Sequence, residues 1–199
     1  KKDNGYIQYD YLCATTLTYF FLDLLVKKLI DKRFLINFKI KNYLIYVLLA
    51  TVCDVMPLRK LNRIIAINAL KKIDINKNKI LNKIYEIAGK NNKITIDDLG
   101  YFIGPILNSG GRLGKSNYAT QLLSSTNEKD ISIFANKLIK LNEKRKNIED
   151  KILENINFLQ IEKENKNIIV IYNPNFNEGL IGIIAARLKE YFNKPCLII

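Results

Sequence analysis

Ile168-Ile169-Val170-Ile171-Tyr172, then Asn173-Pro174-Asn175-Phe176-Asn177-Glu178-Gly179, is the stretch that decides the fold class. Before it, apolar residues recur every three or four positions. Here a short run rich in β-branched residues breaks that rhythm and reads as a buried strand. Asn and Pro mark a loop, residues 180–191 return to helical spacing, Asn193-Lys194-Pro195 makes a turn, and residues 196–199 begin a second strand. Strand, helix and strand in that order start a βαβ unit. The chain is therefore α/β, with this unit joined to a mostly helical body. It stops inside the second strand, which reads as an internal piece of a longer protein.

Working back from that unit, Asp130 opens a long helix that reaches about residue 161. Phe134, Leu138, Leu141, Ile148, Ile152, Ile156 and Leu159 form its apolar stripe, and Glu143, Lys144, Arg145, Lys146, Glu149, Asp150 and Lys151 cover its other faces. At 1.5 Å per residue it would be about 45 Å long. It reads as a connector between two lobes, with a coiled-coil partner as the alternative. Residues 11–30 and 43–52 read as buried helices, and residues 62–72 as a further helix. Residues 79–88 form another, stopped by Gly89. Thr95 looks like an N-cap, and residues 118–123 form a short helix. Residues 1–10 read as a polar entry loop, and residues 34–40 fit helix or strand.

The composition, 48% hydrophobic and 26% charged over 199 residues, is that of a folded protein and excludes disorder. The net charge of +13 comes mainly from lysine and fits a solvated basic surface or a polyanionic partner. The absence of histidine excludes His-based acid/base catalysis and His metal ligands within this chain. Cys13, Cys53 and Cys196 show no metal or redox spacing and read as three reduced core thiols in a reducing compartment. No secretory leader pattern opens the chain. The apolar stretches 11–26 and 43–58 are interrupted by Asp23, and by Asp54 and Pro57, so neither spans a bilayer.

Three clusters can carry chemistry. The first is Asp54, which follows a buried element. It fits a divalent-metal ligand, an N-cap for the next helix, or an ion-pair partner of Arg59 or Arg63. The second is Ile103-Gly104-Pro105-Ile106-Leu107-Asn108-Ser109-Gly110-Gly111-Arg112-Leu113-Gly114, which reads as a tight, non-helical loop. Asn108, Ser109, Gly110 and Gly111 could nest a phosphate with Arg112 as counter-charge, or could simply turn the chain between helices. Gly114-Lys115-Ser116 resembles the end of a phosphate-binding P-loop, but Ser109 stands where that motif needs its first glycine, so a P-loop is excluded. In the third cluster, Gly179 and Gly182 open a helix that carries Arg187 two turns on. This fits an anion site or close packing of the helix on its sheet.

Together these segments resemble a family. Ala50-Thr51-Val52-Cys53-Asp54-Val55-Met56-Pro57-Leu58 with Asn62-Arg63, then Ile103 to Gly114, then Asn177-Glu178-Gly179-Leu180-Ile181-Gly182-Ile183-Ile184-Ala185-Ala186-Arg187-Leu188 are similar to three successive motifs of the RecJ single-strand-specific exonucleases. These are DHH/DHHA1 phosphoesterases. The resemblance implies the C-terminal part of a DHH domain over residues 1–127. It further implies an interdomain connector helix over residues 128–163 and the N-terminal part of a DHHA1 domain over residues 164–199. It implies 5′-to-3′ hydrolysis of single-stranded DNA with Mn²⁺ or Mg²⁺, by two-metal chemistry, in cytoplasmic DNA repair and recombination. Single-stranded DNA is then the partner, with a single-strand-binding protein or a helicase as further candidates. Asp54 matches the family's last metal-binding aspartate, and Arg112 its substrate-facing, catalytic arginine. Gly179, Gly182 and Arg187 fall in the segment that contacts the strand and its 5′ end. Asn177 stands where the family usually has His, and can still hydrogen-bond a phosphate without carrying charge.

The family's other aspartate motifs and its Asp-His-His signature would lie before Lys1, and Leu12-Cys13-Ala14-Thr15-Thr16 stands where relatives have more glycine. This piece is therefore expected to bind single-stranded DNA weakly without cutting it. Two alternatives stay open. One is a DHH phosphoesterase acting on short or cyclic nucleotides, whose Gly-Gly-Gly-His signature Asn177-Glu178-Gly179-Leu180 does not resemble. The other is a catalytically inactive single-strand-binding scaffold.

Overall fold

The computed structural model describes residues 9–34 and 38–199. Most of the expected entry loop and the middle of the ambiguous segment 34–40 lie outside these residues. The chain forms two compact units, Lys1–Asn78 with Lys90–Gly104, and Lys79–Gly89 with Pro105–Ile199. These packing units divide at points other than residues 127 and 163.

In the first unit, α1 (Ala14–Asp31), α2 (Leu44–Cys53) and α3 (Lys60–Lys72) pack together. The uniformly apolar sequence of α2 is explained by its burial, since Ile45, Val47, Leu48, Leu49 and Thr51 are all inside. A capping box starts the next helical segment. Asp98 N–H donates to Thr95 Oγ1, while the Asp98 carboxylate accepts from the Thr95 N–H and hydroxyl. A π-helical turn, Asp98–Ile103, follows and places Leu99 and Ile103 in the core.

α1 corrects the expectation of a buried helix. Only Thr16 of α1 is buried, while Leu17, Phe21 and Leu24 are 55–64% exposed. Cys53 is also exposed rather than part of the core, although all three cysteines are free thiols.

In the second unit, α7 (Glu128–Glu154) is the spine, with α4 (Lys79–Ile87), α6 (Asn117–Ser124) and α9 (Glu178–Phe192) packed on it. Asn127 caps α7 by accepting the Asp130 N–H. The long helix ends earlier than its apolar stripe suggests. Asn155 turns its side-chain amide onto the Lys151 carbonyl, and Asn157 caps a separate α8 (Phe158–Glu164). Side-chain hydrogen bonds of this kind compete with the helical ladder. Ile156 and Phe158 then turn into an apolar cluster with Ile184, Leu188 and Ile198.

The βαβ unit forms as its sequence pattern indicates. β1 (Ile169–Ile171) and β2 (Cys196–Ile198) are parallel, with Ile169 opposite Cys196, and α9 crosses between them. The fold is thus α/β and mostly helical with a small parallel sheet. No helix among the described residues is long and apolar enough to cross a membrane.

Candidate nucleic-acid interface

The stretch from Ile103 to Gly114 is not the loop its glycines and proline suggest. Gly104–Arg112 is α-helical, α5. It runs on without a break from the π-helical turn Asp98–Ile103, so Pro105 falls where the ordinary i to i−4 ladder is already interrupted. Gly110 serves close packing rather than a special backbone conformation, because a Cβ there would lie 2.6 Å from the Lys115 carbonyl oxygen and 3.2 Å from Leu138 Cδ2. Gly114, at φ +73°, terminates the helix, and the Lys115 N–H closes back onto the Gly110 carbonyl at 2.7 Å. That is the Schellman pattern.

Helical spacing sorts the residues of this motif by face. Ser109 is fully buried, and its hydroxyl lies 2.7 Å from the Ile106 carbonyl and 3.0 Å from that of Leu138 on α7. Gly110 is buried beside it. Asn108, Gly111 and Arg112, at positions i, i+3 and i+4, share another face, on which Asn108 and Gly111 are exposed and Arg112 is half-buried.

Arg112 joins this motif to the next. Its Nη1 donates to the Gly179 carbonyl at 2.9 Å. A Cβ on Gly179 would overlap the Arg112 carbonyl oxygen, so a side chain there is excluded by the backbone of α5. Gly182 is different, since nothing lies within 4 Å of its would-be Cβ. Neither glycine serves the packing of α9 on its sheet that the sequence suggests: Gly179 packs on the backbone of α5, and Gly182 faces open space. Asn177 caps α9 by accepting the Gly179 N–H at 2.9 Å. Arg187 donates from Nε to the buried Glu149 of α7. Sequence reasoning counted Glu149 among the outward-facing charges. Its only local signal is Arg145 one turn earlier, which gives the same i, i+4 pattern as a surface pair.

Asp54 lies in the first unit. It is the C-terminal cap of α2 and is exposed, and no ion pair reaches it among the described residues. Arg59, not Asp54, occupies the N-cap position of α3. The next residue, Val55, has φ +54° and is 87% exposed. A β-branched residue in the left-handed region is strained. The turn is fixed from inside by Asn62, fully buried, whose Nδ2 donates to the Tyr11 carbonyl at 2.7 Å and the Pro57 carbonyl at 3.1 Å. Partial desolvation of its sulfur, and secondarily the neighbouring Asp54 charge, push the thiol of the otherwise exposed Cys53 above its usual range. Among the described residues no three His, Cys, Asp or Glu side chains stand together to hold a metal ion. Asp54 alone does not compose a metal site.

The chain is 32% identical over 158 residues to the single-stranded-DNA-specific exonuclease RecJ of Escherichia coli K12. It is 33% identical over 160 residues to RecJ of Haemophilus influenzae. Each match covers 76% of this chain. The chain is RecJ-like. It spans 27–28% of the length of these two relatives. No family model matches it.

Solved RecJ structures have the same fold. The Thermus thermophilus enzyme in complex with Mg²⁺ superposes with a TM-score of 0.69 at 23% identity, covering 80% of this chain and 25% of that one. An exonuclease RecJ bound to manganese gives 0.70 at 25% identity, covering 80% of this chain and 40% of that one.

Proposed function

We propose that this chain is the part of a RecJ-like, metal-dependent 5′-to-3′ single-stranded-DNA exonuclease that mounts substrate-facing groups, acting in cytoplasmic DNA repair and recombination. The observation that carries the reading is the interlock of α5 with the start of α9. Two of the three RecJ-like segments meet there, atom against atom, through Arg112 and Gly179. Phosphate contact falls to the accessible groups of these segments: Asn108, Gly111 and Arg112 on α5, and Asn177, Gly182 and Arg187 on α9. Ser109, Gly110 and Gly179 support them from within. Arg112 commits one terminal nitrogen to Gly179, and its planar fork has other N–H groups to offer a phosphodiester.

In the whole protein, Asp54 supplies one carboxylate to Mn²⁺ or Mg²⁺, hard cations that take oxygen ligands. When bound, such an ion supplies charge stabilisation and an activated water. This chain's contribution is to hold the strand and exclude other geometries.

The test is degradation of a 5′-labelled single-stranded oligonucleotide by the whole protein with Mn²⁺, with Arg112→Ala as its variant. Digestion from the 5′ end is expected, and the substitution should lower kcat/KM by about tenfold or more. The isolated 199 residues should bind the strand weakly, with steep salt dependence, and leave it intact. Robust cleavage by the isolated chain, or an unchanged rate for the variant, would refute this assignment of roles.

A further inference from the structure

Glu149 of α7 is a carboxylate with 4% side-chain exposure. A charge so placed is costly unless paired. Its first partner is on its own helix. Arg145, 12% exposed, donates from Nη1 to Glu149 Oε2 at 2.7 Å and is itself steadied by an Nε bond to Asn142 Oδ1. That pair already neutralises the buried charge.

Arg187 is then an addition. It comes from α9, donates to Glu149 Oε1 through Nε alone at 3.1 Å, and remains 63% exposed. A guanidinium recruited only for neutralisation would be buried with the charge, as Arg145 is. Held by its Nε edge, Arg187 has two terminal amines that take no partner among the described residues. Two terminal N–H groups in a fixed plane match two phosphate oxygens.

We propose that Glu149 is a positioning residue, anchoring Arg187 by Nε so that its terminal amines form a pre-set fork for a phosphate of single-stranded nucleic acid. This rests on the reading of α9 as a strand-contacting element. The anchor removes side-chain freedom before the ligand arrives, which tightens binding without a contact of its own. Removing the anchor should therefore matter only while Arg187 is present.

The experiment is anisotropy of a 5′-phosphorylated fluorescent oligo(dT) titrated with the whole protein in EDTA at several salt concentrations. It uses wild type, Arg187→Ala, Glu149→Gln and the double variant, each with its thermal midpoint recorded. Arg187→Ala should weaken binding about tenfold and reduce the salt slope by about 0.7. Glu149→Gln should weaken it about fivefold, and the double variant should match Arg187→Ala. If Glu149→Gln does not fold, Glu149→Asp carries the test, because it keeps the charge beside Arg145 while drawing back from Arg187. Wild type that binds with Arg187→Ala weaker and the Glu149 variant unchanged would overturn the inference alone. So would an equal further loss in the double variant, which marks a purely structural role. Wild type that binds no oligonucleotide would overturn the strand-contacting reading and this inference with it.

Discussion

Asp54 stands one residue past the end of α2, and Arg112 is the last residue of α5, yet the two helix ends treat their charged residue in opposite ways. The Asp54 carboxylate is exposed and unpaired among the described residues, on a turn strained at Val55 and pinned from below by Asn62. Arg112 is half-buried and bonded to Gly179, against a backbone that leaves no room for a Cβ. The first arrangement keeps a charge free at some cost in local strain. The second gives up part of a charge's freedom to fix two elements together. A free carboxylate suits a cation arriving from outside, whereas a tethered guanidinium suits an extended anion that must be held in register.

Four substitutions press on this contrast. The largest effect is expected at the closed end. Gly179→Ala forces α9 away from α5 and should lower stability by about 3 kcal/mol in urea denaturation. Gly182→Ala, three residues on in open space, should raise it by about 0.5–1 kcal/mol through helix propensity. Equal effects at the two glycines would mean that the interlock is loose in solution.

Next comes Asp54→Asn. Because nothing in the described fold depends on this carboxylate, the thermal midpoint should stay within about a degree of wild type. In the same variant, kcat/KM of the whole protein with Mn²⁺ should fall by about a hundredfold. A loss of stability matching the loss of activity would make Asp54 a structural cap. The smallest effect belongs to the strain itself. Val55→Gly should raise stability by about 1 kcal/mol, because glycine accepts the left-handed backbone. A decrease would show that Val55 contributes packing that its exposure conceals.

The α/β class, the helical body and the βαβ unit were legible in the sequence because each follows from local periodicity. The same holds for α2, α3 and α4, for the glycine that stops α4 and for the Thr95 cap. The three charged motifs were legible as segments by their resemblance to RecJ. Their internal geometry was not. The Ile103–Gly114 stretch reads as a loop because glycine and proline are poor helix formers. It folds as a helix because Pro105 directly follows the π-helical turn, where the regular ladder is already interrupted, and Gly110 lets α5 approach Leu138. Residues 130–161 read as one helix because the stripe continues, but asparagines at 155 and 157 supply competing hydrogen bonds.

Sequence by itself determined the βαβ unit, most of the helical body and which residue types could meet a phosphate or a cation. Tertiary structure alone decided which of them remain available. It turned Ser109 and Gly110 inward, tied Arg112 to Gly179, buried Glu149 beneath Arg187 and left the apolar face of α1 exposed. The physical reason is that propensity and periodicity act within a few residues along the chain. Burial and pairing depend instead on what distant segments place opposite each side chain.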